Sequence, residues 1–402
     1  MVAPNRPGPA SPGTEDAPVV TYLDQILAEA VKLRASDLHF EPFEHSYRVR
    51  LRIDGELREM PAPARALKDK LASRIKVLSQ LDIAEKRMPQ DGRMKLQRPQ
   101  GPALDLRVST LPTLFGEKVV IRILSPDASG LCIDDLGYEE EEQSRLLNAI
   151  RQPHGMVLVT GPTGSGKTQS LYACQNVLNA PQVNIATVED PCEIHLPGVN
   201  QVNVHDKAGL TFAVALRAFL RQDPDVLMVG EVRDLETADI AIKAAQTGHL
   251  VLSTLHTHDA PSALSRLRNM GIAPYNIVSS VALITAQRLV RRLCPHCKQA
   301  TEIEPQRLRD AGLPDRFWPT AVNAYGPVGC DQCHKGFNGR IGIFQVMPIS
   351  DVIADLILQE ASTSTIAAQA QREGVLTLRQ SGLRKVVQGI TSLQEVLGAT
   401  SE

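Results

Sequence analysis

The stretch GPTGSGKT runs from Gly161 to Thr168 with the spacing Gly, four residues, Gly-Lys-Thr. Residues of these types at this spacing wrap the phosphates of a nucleotide. Gly161, Gly164 and Gly166 let backbone N–H groups converge on phosphate oxygens, and Pro162, Thr163 and Ser165 complete the loop. Lys167 is placed to reach the β- and γ-phosphates, and Thr168 to ligate Mg²⁺. GMVLVT before the loop reads as a strand. KTQSLYACQNVLN after it reads as a helix stopped by Pro181. A loop between strand and helix also gains the positive end of the helix dipole, which argues against an idle glycine turn. ATP captured in this way can serve a kinase, a helicase, a switch or a motor.

A nucleotide loop needs acids on neighbouring strands. DVLMVGE ends in Glu231, and an acid at the C-terminal end of a strand points into the ligand crevice, where it acts on Mg²⁺ directly or through water. VNIATVED ends in Glu189 and Asp190; Glu189 is the favoured group for polarising the attacking water, and solvated loop acids are the alternative. TGHLVLSTLHTHD places His249 before a strand and His256 at its end. His256 can donate a hydrogen bond to a γ-phosphate oxygen, although a histidine there is as readily structural. Arg217 and Arg221, four apart on the helix FAVALRAFLRQ, share a face, with the helix expected to end near Asp223-Pro224. Arg93, Arg107 and Arg122 lie nearer the N-terminus, the last two on alternating strands. A cation beside a transferring phosphoryl group assists its transfer, often from a neighbouring subunit. Ordinary surface arginines paired with acids are the competing reading.

A second chemistry comes from Cys294, Cys297, Cys330 and Cys333. They form two C-x₂-C pairs, CPHC and CDQC, with 32 residues between them. Two such turns complete a tetrahedron of thiolates around Zn²⁺, a closed structural site; disulfides are the alternative. His296 and His334 are neighbours that four thiolates leave without a ligand role. Cys132, Cys174 and Cys192 stand singly.

The elements that must hold these groups follow from the apolar pattern. Residues 1–19, rich in Pro and Gly, read as a disordered arm with no secretory h-region. Over 20–124 a helical face (Leu23, Ile26, Leu27, Ala30, Val31), a hairpin turning at Asp54-Gly55, a helix over 65–82 and two alternating strands predict a small α+β domain. Residues 125–137 have linker composition. Beyond them, short wholly apolar runs alternate with helical stretches, predicting an α/β domain over 138–402 with a mainly parallel sheet. Within it the Cys-, Pro- and Gly-rich stretch 288–345 is the zinc-binding segment, and two helices are expected in 350–373 and 376–397.

The chain has 402 residues, room for two or three domains, and 43% apolar with 22% charged residues reads as globular. A net charge of −2 and 4% aromatics disfavour nucleic acid as a partner. No apolar run is long enough to span a membrane, so the cytoplasm is the expected location.

In this order ASDLHFEP, RIDGEL, KRMPQDGR, GPTGSGKT, TVEDPCE, LRAFLRQDPDVLMVGEVRD, TGHLVLSTLHTHDA, the paired cysteines and GRIGIF resemble the secretion ATPase family that powers type IV pilus assembly and type II secretion. The resemblance covers residues 20–398. It implies an N-terminal domain flexibly joined to a RecA-like ATPase domain, assembled as a homo-hexamer that uses ATP and Mg²⁺ and carries Zn²⁺. It puts Glu189 in the acidic box, Glu231 in the Walker B segment, His249 and His256 in the histidine box, and makes His256 a γ-phosphate sensor. It makes Arg107 and Arg122 fingers, with Arg217 and Arg221 at the same site. The implied partner is an inner-membrane platform protein, with the ring peripheral to that membrane. The tail RIGIFQVMPIS and TLRQSGLRKVVQGITSLQEV is closer to pilus assembly motors than to secretion motors; a type II secretion ATPase is the alternative, and retraction motors generally lack the paired cysteines. Two departures stand out. Many assembly motors carry a further N-terminal domain that docks to the platform and in some binds cyclic di-GMP, whereas here the Pro-rich arm precedes Thr21. His258 stands where Asn is more usual.

Overall fold

The computed structural model describes residues 17–98, 103–124, 130–318 and 324–401. The chain divides into two compact units, 1–126 and 127–402, with the division inside the stretch of linker composition. Of the expected arm, residues 1–16 lie outside the described residues, and a helix already begins at Ala17.

The first unit runs α1 (Ala17–Lys32), β1 (Asp37–Pro42), β2 (Tyr47–Ile53), β3 (Glu56–Met60), α2 (Lys68–Leu78), β4 (Gln90–Leu96), β5 (Leu104–Thr113) and β6 (Gly116–Ile123). Among the described residues its strands form one antiparallel sheet in the order β3-β2-β1-β6-β5-β4. The β2–β3 hairpin turns at Asp54-Gly55 with φ of 50° and 91°, the two left-handed residues that a tight hairpin turn requires. Strand β2 buries Tyr47, Val49, Leu51 and Ile53 and leaves the intervening arginines partly exposed. Its apolar face packs with Leu23, Ile26, Leu27 and Ala30 of α1 and Leu71 and Ile75 of α2. The helix expected over 65–82 is shorter: a 3₁₀ turn over Arg65–Leu67 leads into α2, which ends at Leu78. On the opposite face, cross-strand register lines up Arg52, Asp37, Arg122, Arg107 and Arg93 across five neighbouring strands.

The second unit opens with α3 (Ile133–Leu136), α4 (Glu140–Ile150), β7 (Gly155–Thr160) and α5 (Lys167–Leu178). It continues through β8 (Ile185–Glu189), β9 (Asn200–Asn203), α6 (Phe212–Phe219), β10 (Val226–Val229), α7 (Leu235–Gln246), β11 (Leu250–Leu255), α8 (Ala260–Asn269) and α9 (Pro274–Ser280). Then follow β12 (Val281–Leu293), β13 (Gln299–Thr301), α10 (Pro305–Asp310), β14 (Ala324–Gly326) and β15 (Phe337–Pro348). Four helices close it: α11 (Asp351–Leu358), α12 (Thr363–Arg372), α13 (Leu378–Val387) and α14 (Leu393–Thr400). Among the described residues the main sheet has the order β15-β12-β7-β11-β10-β8-β9. Every pair in it is parallel except β12 with β15. Strands β7, β8, β10 and β11 are buried throughout. Met156 and Leu158 of β7 join one apolar core, and Val157 and Val159 the core on the other face. Alternate side chains thus leave opposite faces, and both need apolar cover.

Three further sequence expectations are corrected in the second unit. The terminal pair of helices is four, because Glu360 (φ 53°) and Gly389 (φ 68°) turn left-handed and Ser362 and Ser392 cap new helices beyond them. The segment 288–345 reaches into the central sheet at both ends, since β12 runs to Leu293 and β15 starts at Phe337; the insertion proper lies between these strands. Helix α6 ends at Phe219, so Arg221 lies past the helix, its Nη1 donating to Arg217 O at 2.7 Å.

Candidate nucleotide site and four-cysteine cluster

The phosphate loop joins the C-terminal end of β7 to the first turn of α5. Gly161, Gly164 and Gly166 take φ of 151°, 79° and 88°, values that side chains resist. Two of them are also crowded. A Cβ on Gly161 would lie 2.5 Å from Gln287 O, and one on Gly166 would lie 3.2 Å from Gln287 Nε2. Lys167 is buried, and its Nζ donates to Gly161 O at 2.9 Å and Pro162 O at 3.0 Å. Burial pushes this ammonium below its ordinary value; nearby Glu231 opposes the shift and Arg288 adds to it.

Because the strands are parallel, the residues after β10 and β11 come to the same edge of the sheet as the loop after β7. Glu231 is two residues past β10, and His256 immediately follows β11. They meet: His256 Nε2 lies 3.3 Å from Glu231 Oε2, while Arg233 pairs with Glu231 Oε1. His249, at the start of β11, is a strand length away; its Nδ1 lies 3.0 Å from Ala244 O. The two histidines of the sequence motif therefore part company. Glu189, the last residue of β8, is 3% exposed. Thr187 Oγ1 donates to its Oε1 at 2.8 Å, Tyr172 OH donates to its Oε2, and Gln201 Nε2 lies 3.4 Å from Oε1. Thr187 and Tyr172 reach it from the same strand and from the loop's own helix.

The arginines fall into two groups. Arg217 Nη2 donates to Glu236 Oε1 of α7 at 2.7 Å, and Arg221 braces it through its carbonyl. In the first unit, Arg122 Nε donates to Asp37 Oδ1 at 2.9 Å, and Arg107 lies 4.0 Å from Asp91, beside Arg122 and Arg93 in the cross-strand row.

Sequence reasoning missed Arg233, Tyr172, Gln287 and Arg288. Arg233 lies two residues past Glu231 in DVLMVGEVRD, where a single arginine carries no motif of its own. The other three belong to a helix or strand whose apolar pattern reads as structure, and no local motif marks them. Arg288, half-buried, donates to His258 O at 3.2 Å beside the loop.

The four cysteines come together. Sγ atoms lie 3.8 Å apart for Cys294 and Cys330, 3.7 Å for Cys297 and Cys333, and 3.6 Å for Cys330 and Cys333. All four mutually approach within 4.8 Å and carry no disulfide. Thiolates about 2.3 Å from a tetrahedral zinc sit roughly 3.8 Å apart, so the cluster has the dimensions of a zinc site and not of S–S bonds. Gly329 N and Cys330 N donate to Cys297 Sγ and Cys333 Sγ at 3.3 and 3.2 Å, support that sulfur anions need.

Comparison with known proteins adds an independent line. The family described as "Type II/IV secretion system protein" matches residues 13–398. The type IV pilus assembly ATPase PilB of Acinetobacter baylyi is 55% identical over 389 residues, 96% of this chain and 67% of that protein. The type II secretion system ATPase E of Vibrio cholerae is 48% identical over 96% of this chain and 76% of that protein. In fold, the chain is similar to the Legionella pneumophila ATPase DotB, with a TM-score of 0.68 at 20% identity over 98% of this chain and 96% of that one.

Proposed function

The chain belongs to the type II/IV secretion system protein family, as an ATPase, and from that premise we propose that it hydrolyses ATP to drive type IV pilus assembly. The pilus reading is favoured over type II secretion by the higher identity to PilB, 55% against 48%. The observation that carries the ATPase chemistry is the meeting of Glu231 and His256 at 3.3 Å on the sheet edge that also bears the phosphate loop.

In this reading the loop 161–168 grips the β- and γ-phosphates through its backbone N–H groups. Lys167 Nζ exchanges its bonds to Gly161 O and Pro162 O for phosphate oxygens. Thr168 and Glu231 would hold Mg²⁺, which when bound neutralises charge on the phosphates. His256 hydrogen-bonds the γ-phosphate, and Glu189 polarises the attacking water. Reaching that water requires the Glu189 carboxylate to exchange at least one of its protein donors. The protein acts as a homo-hexamer in which Arg107 and Arg122 reach the nucleotide of a neighbouring subunit, with Arg217 and Arg221 at the same border. Nucleotide turnover then moves an inner-membrane platform protein, and the ring sits at that membrane through its partner; among the described residues no helix is long and apolar enough to cross a membrane. Nucleic acid has no part in the cycle. Cys294, Cys297, Cys330 and Cys333 would hold Zn²⁺, which when bound would tie together the insertion between β12 and β15 and leave no open position for chemistry.

The direct test is Lys167→Ala. Phosphate release should fall to background while circular dichroism stays that of the parent, because Lys167 faces the ligand and does not build either apolar core. Normal turnover in a folded variant would remove the assignment.

A further inference from the structure

Gln287 lies on β12, one residue past the Ala286–Thr160 register pair that precedes the phosphate loop. It is 2% exposed, a buried amide with no part in either apolar core. Both ends of that amide are engaged. Nε2 donates to Ser165 O at 2.7 Å, and Oε1 accepts from Ser170 Oγ at 2.8 Å. Ser165 belongs to the loop, and Ser170 to the first turn of α5, where its N–H bonds Gly166 O at 3.1 Å. One side chain from the next strand therefore clamps the loop to its own helix. The backbone carbonyl of Gln287, with Ser165 Oγ, also leaves no room for a Cβ at Gly161, and Gln287 Nε2 lies in tight contact with the Cβ position of Gly166.

We infer that Gln287 is a positioning residue that aims the Gly166 amide at the bound phosphates. The argument is geometric. In a trans peptide the C=O and the N–H of the same plane point in opposite directions. Drawing Ser165 O toward β12 turns the N–H of Gly166 away from β12, into the hollow of the loop. That N–H is one of the fixed donors from which an anion-binding loop is built. Gly166, with φ of 88°, has no Cβ to hold this plane, so without the clamp the peptide is free to rotate and the donor is lost. Gln287 touches no reacting atom; it acts through the loop. The inference rests on the reading of residues 161–168 as the nucleotide site.

The test uses the full chain with Mg·ADP, so that turnover does not intervene. Gln287→Leu keeps the volume and removes the donor. Its affinity for Mg·ADP should fall about tenfold, the loss of one buried hydrogen bond to a phosphate. The ³¹P resonance of the bound β-phosphate should also move relative to the parent. Gln287→Glu gives a conditional donor: protonated, its O–H can replace Nε2–H at Ser165 O; ionised, it repels that carbonyl. Affinity of this variant, taken relative to the parent at each pH, should recover as pH is lowered, a rescue that Gln287→Leu cannot show. Parental affinity and an unshifted β-phosphate resonance in folded Gln287→Leu would overturn the inference. So would a Gln287→Glu affinity that stays in constant ratio to the parent across pH. Lys167→Ala separates the two levels: if it too binds Mg·ADP like the parent, the loop reading has failed and not the role of Gln287 alone.

Discussion

At the scale of single residues, the two carboxylates assigned to hydrolysis sit in different surroundings. Glu231 is partly exposed and bound by Arg233 and His256, partners that an incoming metal can displace. Glu189 is buried among neutral donors from Thr187, Tyr172 and Gln201. Glu231→Gln and Glu189→Gln should both cut phosphate release at least 100-fold. Binding of a fluorescent ATP analogue should stay within a few-fold of the parent, since neither group touches the base. A variant that turns over at the parental rate would make that carboxylate a structural brace, and the three neutral donors make Glu189 the more exposed to that outcome. Glu231, Thr168 and Lys167 could be proposed from the sequence because a strand-end acid and a glycine loop are local patterns. Gln287 and Tyr172 could not, because their roles lie in partners 122 and 17 residues away, Ser165 and Glu189.

At the scale of elements, the start of α4 holds an acid under stress. Glu139 and Glu142 form a capping box, and Glu142 Oε2 accepts from Glu139 N at 3.1 Å, while the buried Oε1 has no hydrogen-bond partner among the described residues. Burial pushes the Glu142 carboxyl up to about 7, against the opposing pull of the Glu139 N–H and Lys385. A carboxyl whose pKa is raised on folding favours the folded state at low pH and loses that contribution as pH climbs through its folded value. The loss therefore falls between the ordinary glutamate range and about pH 7. Glu142→Gln keeps the cap and cannot ionise. Its melting temperature should match the parent near pH 4 and exceed it by several degrees at pH 8, on the order of 2–3 kcal/mol; a constant offset across pH would refute the cause. The cysteine cluster makes the second prediction at this scale. Purified protein should contain about one zinc per chain. Cys294→Ser with Cys297→Ser should lose the metal and speed proteolysis between β12 and β15, while leaving the sheet intact. Metal analysis and limited proteolysis decide it; four oxidised thiols and no metal would restore the disulfide reading.

At the scale of the whole molecule, the arginine row belongs to one compact unit and the phosphate loop to the other. If Arg107 serves a neighbouring subunit, Lys167→Ala and Arg107→Ala should each be nearly inactive alone. Mixed rings should regain part of the activity, because some borders then join an intact Lys167 to an intact Arg107. A role within one chain gives no rescue, since every chain lacks half of its own site. The measurement is phosphate release from co-refolded mixtures over a series of ratios, with two affinity tags proving exchange. Exchanged rings as inactive as either parent would exclude a finger in trans.

The sequence by itself determined the glycine loop between strand and helix, the one-sided sheet of the first unit, the parallel sheet of the second and the paired cysteines. Each rests on signals that lie within one element or one turn: glycines at fixed offsets, period-two alternation, wholly apolar runs, C-x₂-C spacing. Tertiary structure decided what pairing across the chain supplies. It set which strands adjoin β7, and so brought Gln287 and Arg288 to the loop. It parted His249 from His256, because a six-residue strand holds them at opposite ends. It took both ends of the cysteine-rich segment into the sheet, because the β12–β15 register joins residues more than forty positions apart, from Leu293 with Phe337 onward. Hydrogen bonds between distant strands leave no periodic mark on either strand alone, and only the folded chain shows which ones form.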